Sequence, residues 1–108
     1  MANDFALRKL VTKIVKSDKI RWQRHVLESM MERNISRSEA KDILINGELI
    51  KEYLDDHPFP SGLLFGLIND EPLHVVAAID IDTGWCYIIT AYRPDSENFE
   101  SDFKTRKR

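Results

Sequence analysis

At Gly47 the hydrophobic period of this 108-residue chain changes. Before it, apolar residues recur at three and four; after it, they alternate or run continuously, as extended chain does. Leu7, Leu10, Val11, Ile14 and Val15 make one amphipathic stripe, with Asn3 or Asp4 to cap its start and Lys16 to Lys19 to end it. Ile20 to Trp22 read as a short extended lead-in to a second helix, whose buried stripe is Trp22, Val26, Leu27, Met30 and Met31. Asn34 suits its C-terminal end. Ser36-Arg37-Ser38-Glu39 is a capping box that opens a third helix through Ala40, Ile43 and Leu44, and Gly47 stops it.

Strands are expected at 49–54, 62–68, 72–80 and 85–92. Asn69-Asp70-Glu71 and Asp80 to Gly84 are the turns, and the prolines of Asp55-Asp56-His57-Pro58-Phe59-Pro60 forbid a regular ladder there. Helices ahead of a run of strands specify an α+β fold: two to three N-terminal helices packed on a curved antiparallel sheet of about four strands. The expected organisation is one domain over 1–95 and a loose charged tail over 96–108.

Composition bounds the class. With 43% apolar and 31% charged residues, this is the profile of a soluble globular chain. No apolar run reaches the roughly 20 residues of a membrane span, and Asp4, Arg8, Lys9 and Lys13 argue against a secretory signal. Cys86 is the single cysteine, so no internal disulfide forms and a reducing, cytoplasmic setting is the expectation. Charge is unevenly spread. Residues 1–46 carry ten Lys/Arg against six Asp/Glu, and residues 47–92 carry one against eight. One half could face a polyanion and the other a basic partner, or the contrast could reflect lysine-rich helix surfaces and aspartate-rich turns.

The chemistry-bearing residues are few. His74 interrupts the strand Leu73 to Ile79, which is apolar on both faces and therefore expected to be central. Turns centred near Asp82 and Asp70 would set His74 opposite Thr90, with Tyr92 on the diagonal, and beside Gly66. The plainer account is a half-buried histidine hydrogen-bonded to threonine. His25 borders the second helix's apolar stripe, with Arg33 two turns on; His57 reads as a loop residue. No pair of histidines or cysteines has zinc-ligand spacing, so no metal or other cofactor is expected. Asp80-x-Asp82 lacks the rest of a calcium loop and reads as a hairpin turn. Cys86 reads as packing.

The run His25-Val-Leu-Glu-Ser-Met-Met-Glu-Arg33-Asn-Ile-Ser36, with GELIKEYLDDHPFPS, PLHVVAAID and YIITAYRP, resembles the domain-of-unknown-function 4258 family over about residues 20–95. That family looks like a relative of the RelE, BrnT and MqsR toxins of bacterial toxin-antitoxin pairs. The resemblance implies a RelE- or barnase-like fold, metal-independent cleavage of RNA, and a small zinc-binding antitoxin as partner. Such cleavage needs a base, an acid and a cation for the phosphorane charge. Carried over, His25 and His74 would be the acid/base pair with Tyr92 beside them. Arg33 and Arg93 would clamp phosphate, and Thr90 and Tyr53 would orient the substrate or stack a base. BrnT-like chains tend to place a basic residue where Tyr92 stands. The alternative is a non-catalytic protein-binding module with the same fold.

Overall fold

A computed structural model describes Lys9, Val11, Lys13 and residues 18–107. Within them lie β1 (Ile20–Arg21), α1 (Arg24–Glu32), α2 (Arg37–Asn46), β2 (Glu48–Tyr53), β3 (Ser61–Ile68), β4 (Glu71–Asp80) and β5 (Trp85–Tyr92). The strands form one mixed sheet in the order β1-β5-β4-β3-β2. This corrects the expected four antiparallel strands: the lead-in Ile20–Arg21 is a fifth, pairing parallel to β5 through Ile20 with Cys86 and Arg21 with Tyr87. No described helix is long and apolar enough to cross a membrane.

Local chemistry explains the helices. The α1 end is a Schellman turn: the Ile35 N–H donates to the Met30 carbonyl at 2.8 Å and the Asn34 N–H to Met31 at 3.1 Å. Asn34 supplies the left-handed residue, with φ 59°. Ile35 and Met30, which this turn brings together, are both buried. At the next start, the Glu39 N–H donates to Ser36 Oγ at 3.1 Å and the Ser36 N–H to Glu39 Oε1 at 2.8 Å, completing the capping box. Gly47 ends α2 for want of space: a Cβ there would lie 2.5 Å from the Ile43 carbonyl oxygen and 2.7 Å from that of Phe65.

The two helices cover one sheet face. Val26, Met30, Ile35, Ala40, Ile43 and Leu44 share a core with Leu64, Leu73, Val75, Ala77, Ile79, Cys86, Ile88 and Ala91. Lys9, Val11 and Lys13 are helical, and Val11 joins this core; Leu7, Leu10, Ile14, Val15 and the cap candidates Asn3 and Asp4 lie outside the described residues. Met31, assigned to the buried stripe, is instead 79% exposed, because the stripe of so short a helix is filled by Val26 and Met30.

Side chains alternate along a strand, so Ser61, Leu63, Phe65, His74, Val76 and Ala78 occupy the opposite face. Its cover is the C-terminal segment, expected to be loose beyond residue 95. Residues 94–107 fold back over the sheet instead, and Phe99 is buried there. Aromatic side chains anchor a stretch whose charge alone suggested solvation.

Candidate functional site

The face away from the helices carries two adjoining features. One is a buried polar pair. His74 is fully buried, pairs across the ladder with Phe65 and Tyr92, and meets the Phe65, Tyr92 and Phe99 rings edge-on. Its Nε2 lies 2.7 Å from the Phe103 carbonyl oxygen and its Nδ1 3.1 Å from Tyr92 Oη. A carbonyl only accepts, which assigns the proton to Nε2 and leaves Nδ1 to accept from the phenol. Burial pushes the imidazole pKa below its ordinary 6.5, against a smaller opposing effect of the Phe103 bond. Burial likewise raises the Tyr92 phenol, with nearby Tyr53 adding to the shift and Arg106 opposing it. This is a neutral histidine.

The second feature is an open cleft of about 590 Å³ beside that pair. Its apolar walls are Tyr53, Leu54, Val76 and Ile89; Ser61 and Thr90 add hydroxyls; Asp55 and Asp56 add carboxyls, while Glu52, paired with Gly62, borders the cleft on a strand position that faces the helices. Among the described residues no lysine or arginine lines it, although Arg33 bonds the Thr90 hydroxyl and Lys51 Nζ lies 5.5 Å from the Tyr53 ring centre at its margin. The acidic-proline loop forms one wall. Asp56 anchors it by accepting from Ser61 Oγ at 2.7 Å and from the His57 N–H at 3.0 Å, while Phe59 stacks on Tyr87. A β-bulge forms the other. Val76 pairs with Thr90 but Ala77 with Ile88, so Ile89 is extra and projects at 48% exposure. A larger hollow of about 740 Å³ lies at the α1–α2 turn, lined in part by Leu27, Met31 and Arg37, and holds none of the sequence-predicted side chains.

The predicted site residues divide. Tyr92 contacts His74; Thr90 and Tyr53 line the cleft; Arg33 reaches the same end of β5, donating to Thr90 Oγ1 at 3.3 Å and to the Ala91 carbonyl at 2.9 Å. Arg93 is engaged elsewhere. Its guanidinium donates to the Arg33 carbonyl at 2.6 Å and the Asn34 carbonyl at 3.1 Å, capping the negative end of α1. His25 is not brought to the site. It is exposed on α1, which covers the Leu73–Val75 face, whereas His74 points from the other face and is covered by Phe99. The sheet separates the two imidazoles, so they form no acid/base pair.

The register differs from expectation in two places. Asn69 and Asp70, both at positive φ, make a two-residue hairpin turn, which sets His74 opposite Phe65 rather than Gly66. The Ile89 bulge moves Tyr92 opposite His74 and Thr90 opposite Val76. Sequence reasoning missed Asp55, Asp56 and Ile89 as a group. The available signal was the spacing of Cys86, Ile88 and Ala91, where core positions slip from two residues to three. His57 is exposed in its loop, and Cys86 is buried with its thiol pushed up to about 12 by desolvation. Among the described residues no three His, Cys, Asp or Glu side chains are placed to hold a metal ion.

The family model described as "Domain of unknown function (DUF4258)" matches residues 22–93. The chain belongs to this family. The matched span runs from Trp22 to Arg93 and so contains α1, α2, β2 to β5 and the whole cleft, while the C-terminal segment over His74 lies outside it. No match was found among curated proteins or solved structures.

Proposed function

We propose that this DUF4258 chain is a protein-binding module whose cleft takes a partner segment carrying lysine or arginine beside aliphatic side chains. The carrying observation is the lining: the Asp55 and Asp56 carboxyls beside four apolar side chains, with no lysine or arginine among the described lining residues. A polyanion would place phosphates against Asp55 and Asp56 and meet like charge, whereas a cationic segment is steered in. Leu54 and Ile89 are about half exposed and present apolar surface to a partner. A hollow of this size accepts two or three side chains rather than a folded domain. The sequence resemblance implies kinship with the RelE, BrnT and MqsR toxins of toxin-antitoxin pairs. A small antitoxin with a basic, apolar segment is a partner of the chemistry this cleft favours.

Charge reversal is the test. Asp55→Lys, on an exposed loop position, should weaken binding of a lysine-leucine peptide at least about tenfold at low salt, where surface electrostatics are strongest. Equal affinity of wild type and variant would remove the reading.

A toxin-type ribonuclease is the second reading, favoured by the Arg33–Thr90 contact two ladder rungs from the His74–Tyr92 pair, the next pair on the same face. It requires His74 to be uncovered and to work without His25. Arrested growth on expression, relieved by Arg33→Ala, would support it; normal growth with intact cellular RNA would count against it.

A further inference from the structure

Residues 94–107 make a strap that is hydrogen-bonded chiefly to itself. The Asp95 carboxylate accepts from the Asn98 backbone and side chain, and Asp102 accepts from the Lys104 and Thr105 N–H groups and the Thr105 hydroxyl. The Glu100 N–H donates to the Thr105 carbonyl and the Lys107 N–H to the Asn98 carbonyl, with Phe99 bridged to Arg106. A segment that keeps its own turns can move as one unit without exposing most of its backbone bonds.

Its hold on the sheet is of another kind. Phe99 packs its ring 4.9 Å from His74, the Phe103 carbonyl accepts from His74 Nε2, and Lys104 Nζ meets Glu48 at 3.2 Å on the surface. To aim that carbonyl, Phe103 adopts φ 57°, a left-handed conformation that a bulky side chain rarely enters. Strain of this sort persists where surrounding contacts enforce it and is released when they part. Just before the strap, Arg93 is fixed to the end of α1, which gives a stationary point to move about.

We propose that residues 94–107 are a lid that opens as a unit from the sheet beyond the Arg93 anchor, joining the His74–Tyr92 pair to the acidic cleft. The rungs are consecutive on one face: His74 pairs with Tyr92, and Val76, in the cleft wall, pairs with Thr90. An open lid therefore lengthens the cleft by a neutral imidazole and a phenol, two groups able to bond a partner's backbone as they bond Phe103 now. The lid is independent of what the cleft takes, so failure of peptide binding leaves it standing.

Carbethoxylation of the full-length protein, mapped histidine by histidine by mass spectrometry, tests the lid. His25 and His57 are exposed and serve as internal references. In the wild type, His74 should react slowly but faster than the global unfolding rate set by β4 amide exchange. Phe99→Ala should speed His74 by about tenfold or more, leaving the references unchanged. Reaction of His74 only at the global unfolding rate, or no acceleration in a folded Phe99→Ala variant, would overturn the lid. Should that variant fail to fold, the wild type decides: His74 reacting about tenfold or more faster than global unfolding supports the lid, and reaction at the global unfolding rate overturns it, because the Glu100 and Lys107 amides bond within the strap and stay protected when it opens as a unit.

Discussion

His74 donates its Nε2 proton to the Phe103 carbonyl across 2.7 Å, tying the central strand to a segment 29 residues further along the chain. With Tyr92 on the other nitrogen, every polar atom of the ring is satisfied, which is what allows an imidazole to be fully buried. His74→Ala leaves a cavity and strands both partners. The expected loss is about 3 kcal/mol, read as a lower urea midpoint at unchanged slope. A loss under about 1 kcal/mol would mean that water replaces the ring without cost.

The same burial makes stability depend on pH. His74 titrates below 6.5 in the folded chain and near 6.5 when unfolded, so between those values the unfolded state binds more protons. Its contribution is full above pH 6.5 and is lost as pH falls toward the folded value. The groups facing the ring are the Tyr92 phenol, the Phe65 and Phe99 rings and the Phe103 carbonyl. Charged groups on the elements packed against the ring are Arg106 over Phe99 and the Lys104–Glu48 pair. Urea midpoints should fall from pH 7.5 to 5.5, and the fall should shrink in His74→Phe while persisting in His25→Ala.

Cys86 should be silent to thiol reagents. It is wholly buried, and desolvation pushes its thiol to about 12, so almost no thiolate exists at neutral pH. Reaction with a disulfide reagent at pH 8 should proceed only after denaturant is added. Rapid reaction of the native chain would contradict the packing at the β1–β5 edge.

Gly47 and Gly66 should differ when replaced by alanine. The added carbon at Gly47 meets two backbone carbonyl oxygens, which cannot yield without moving α2 or β3, whereas at Gly66 it meets the end of the Ile43 side chain at 2.6 Å. Gly47→Ala is expected to cost about 3 kcal/mol and Gly66→Ala about 1 kcal/mol by thermal unfolding.

Much of this fold was legible because local chemistry and tertiary packing agree. Ser36 with Glu39, Asn34 after Met30 and Met31, and the apolar run of β4 each name their own structure. The parallel pairing of Ile20 was not legible, since a two-residue strand carries no period and its partner is 66 residues away. His74, Tyr92, Thr90 and Arg33 were expected together, and they do gather at one end of the sheet. His25 was expected with them because an open-ended helix reading does not reveal which sheet face the helix covers. The role of Phe99 and Phe103 was hidden by the charge of their neighbours. The cleft was hidden by a single inserted residue, Ile89.

The docking cleft is tested most directly by amide chemical-shift mapping of the full-length protein, titrated separately with a lysine-leucine peptide and with a single-stranded RNA oligonucleotide. The peptide should shift Tyr53, Asp55, Asp56, Ile89 and Thr90, with an affinity that falls as salt rises, and the RNA should leave those signals in place. Shifts at Thr90, Tyr92 and Arg33 with RNA, and none in the cleft with the peptide, would contradict the account.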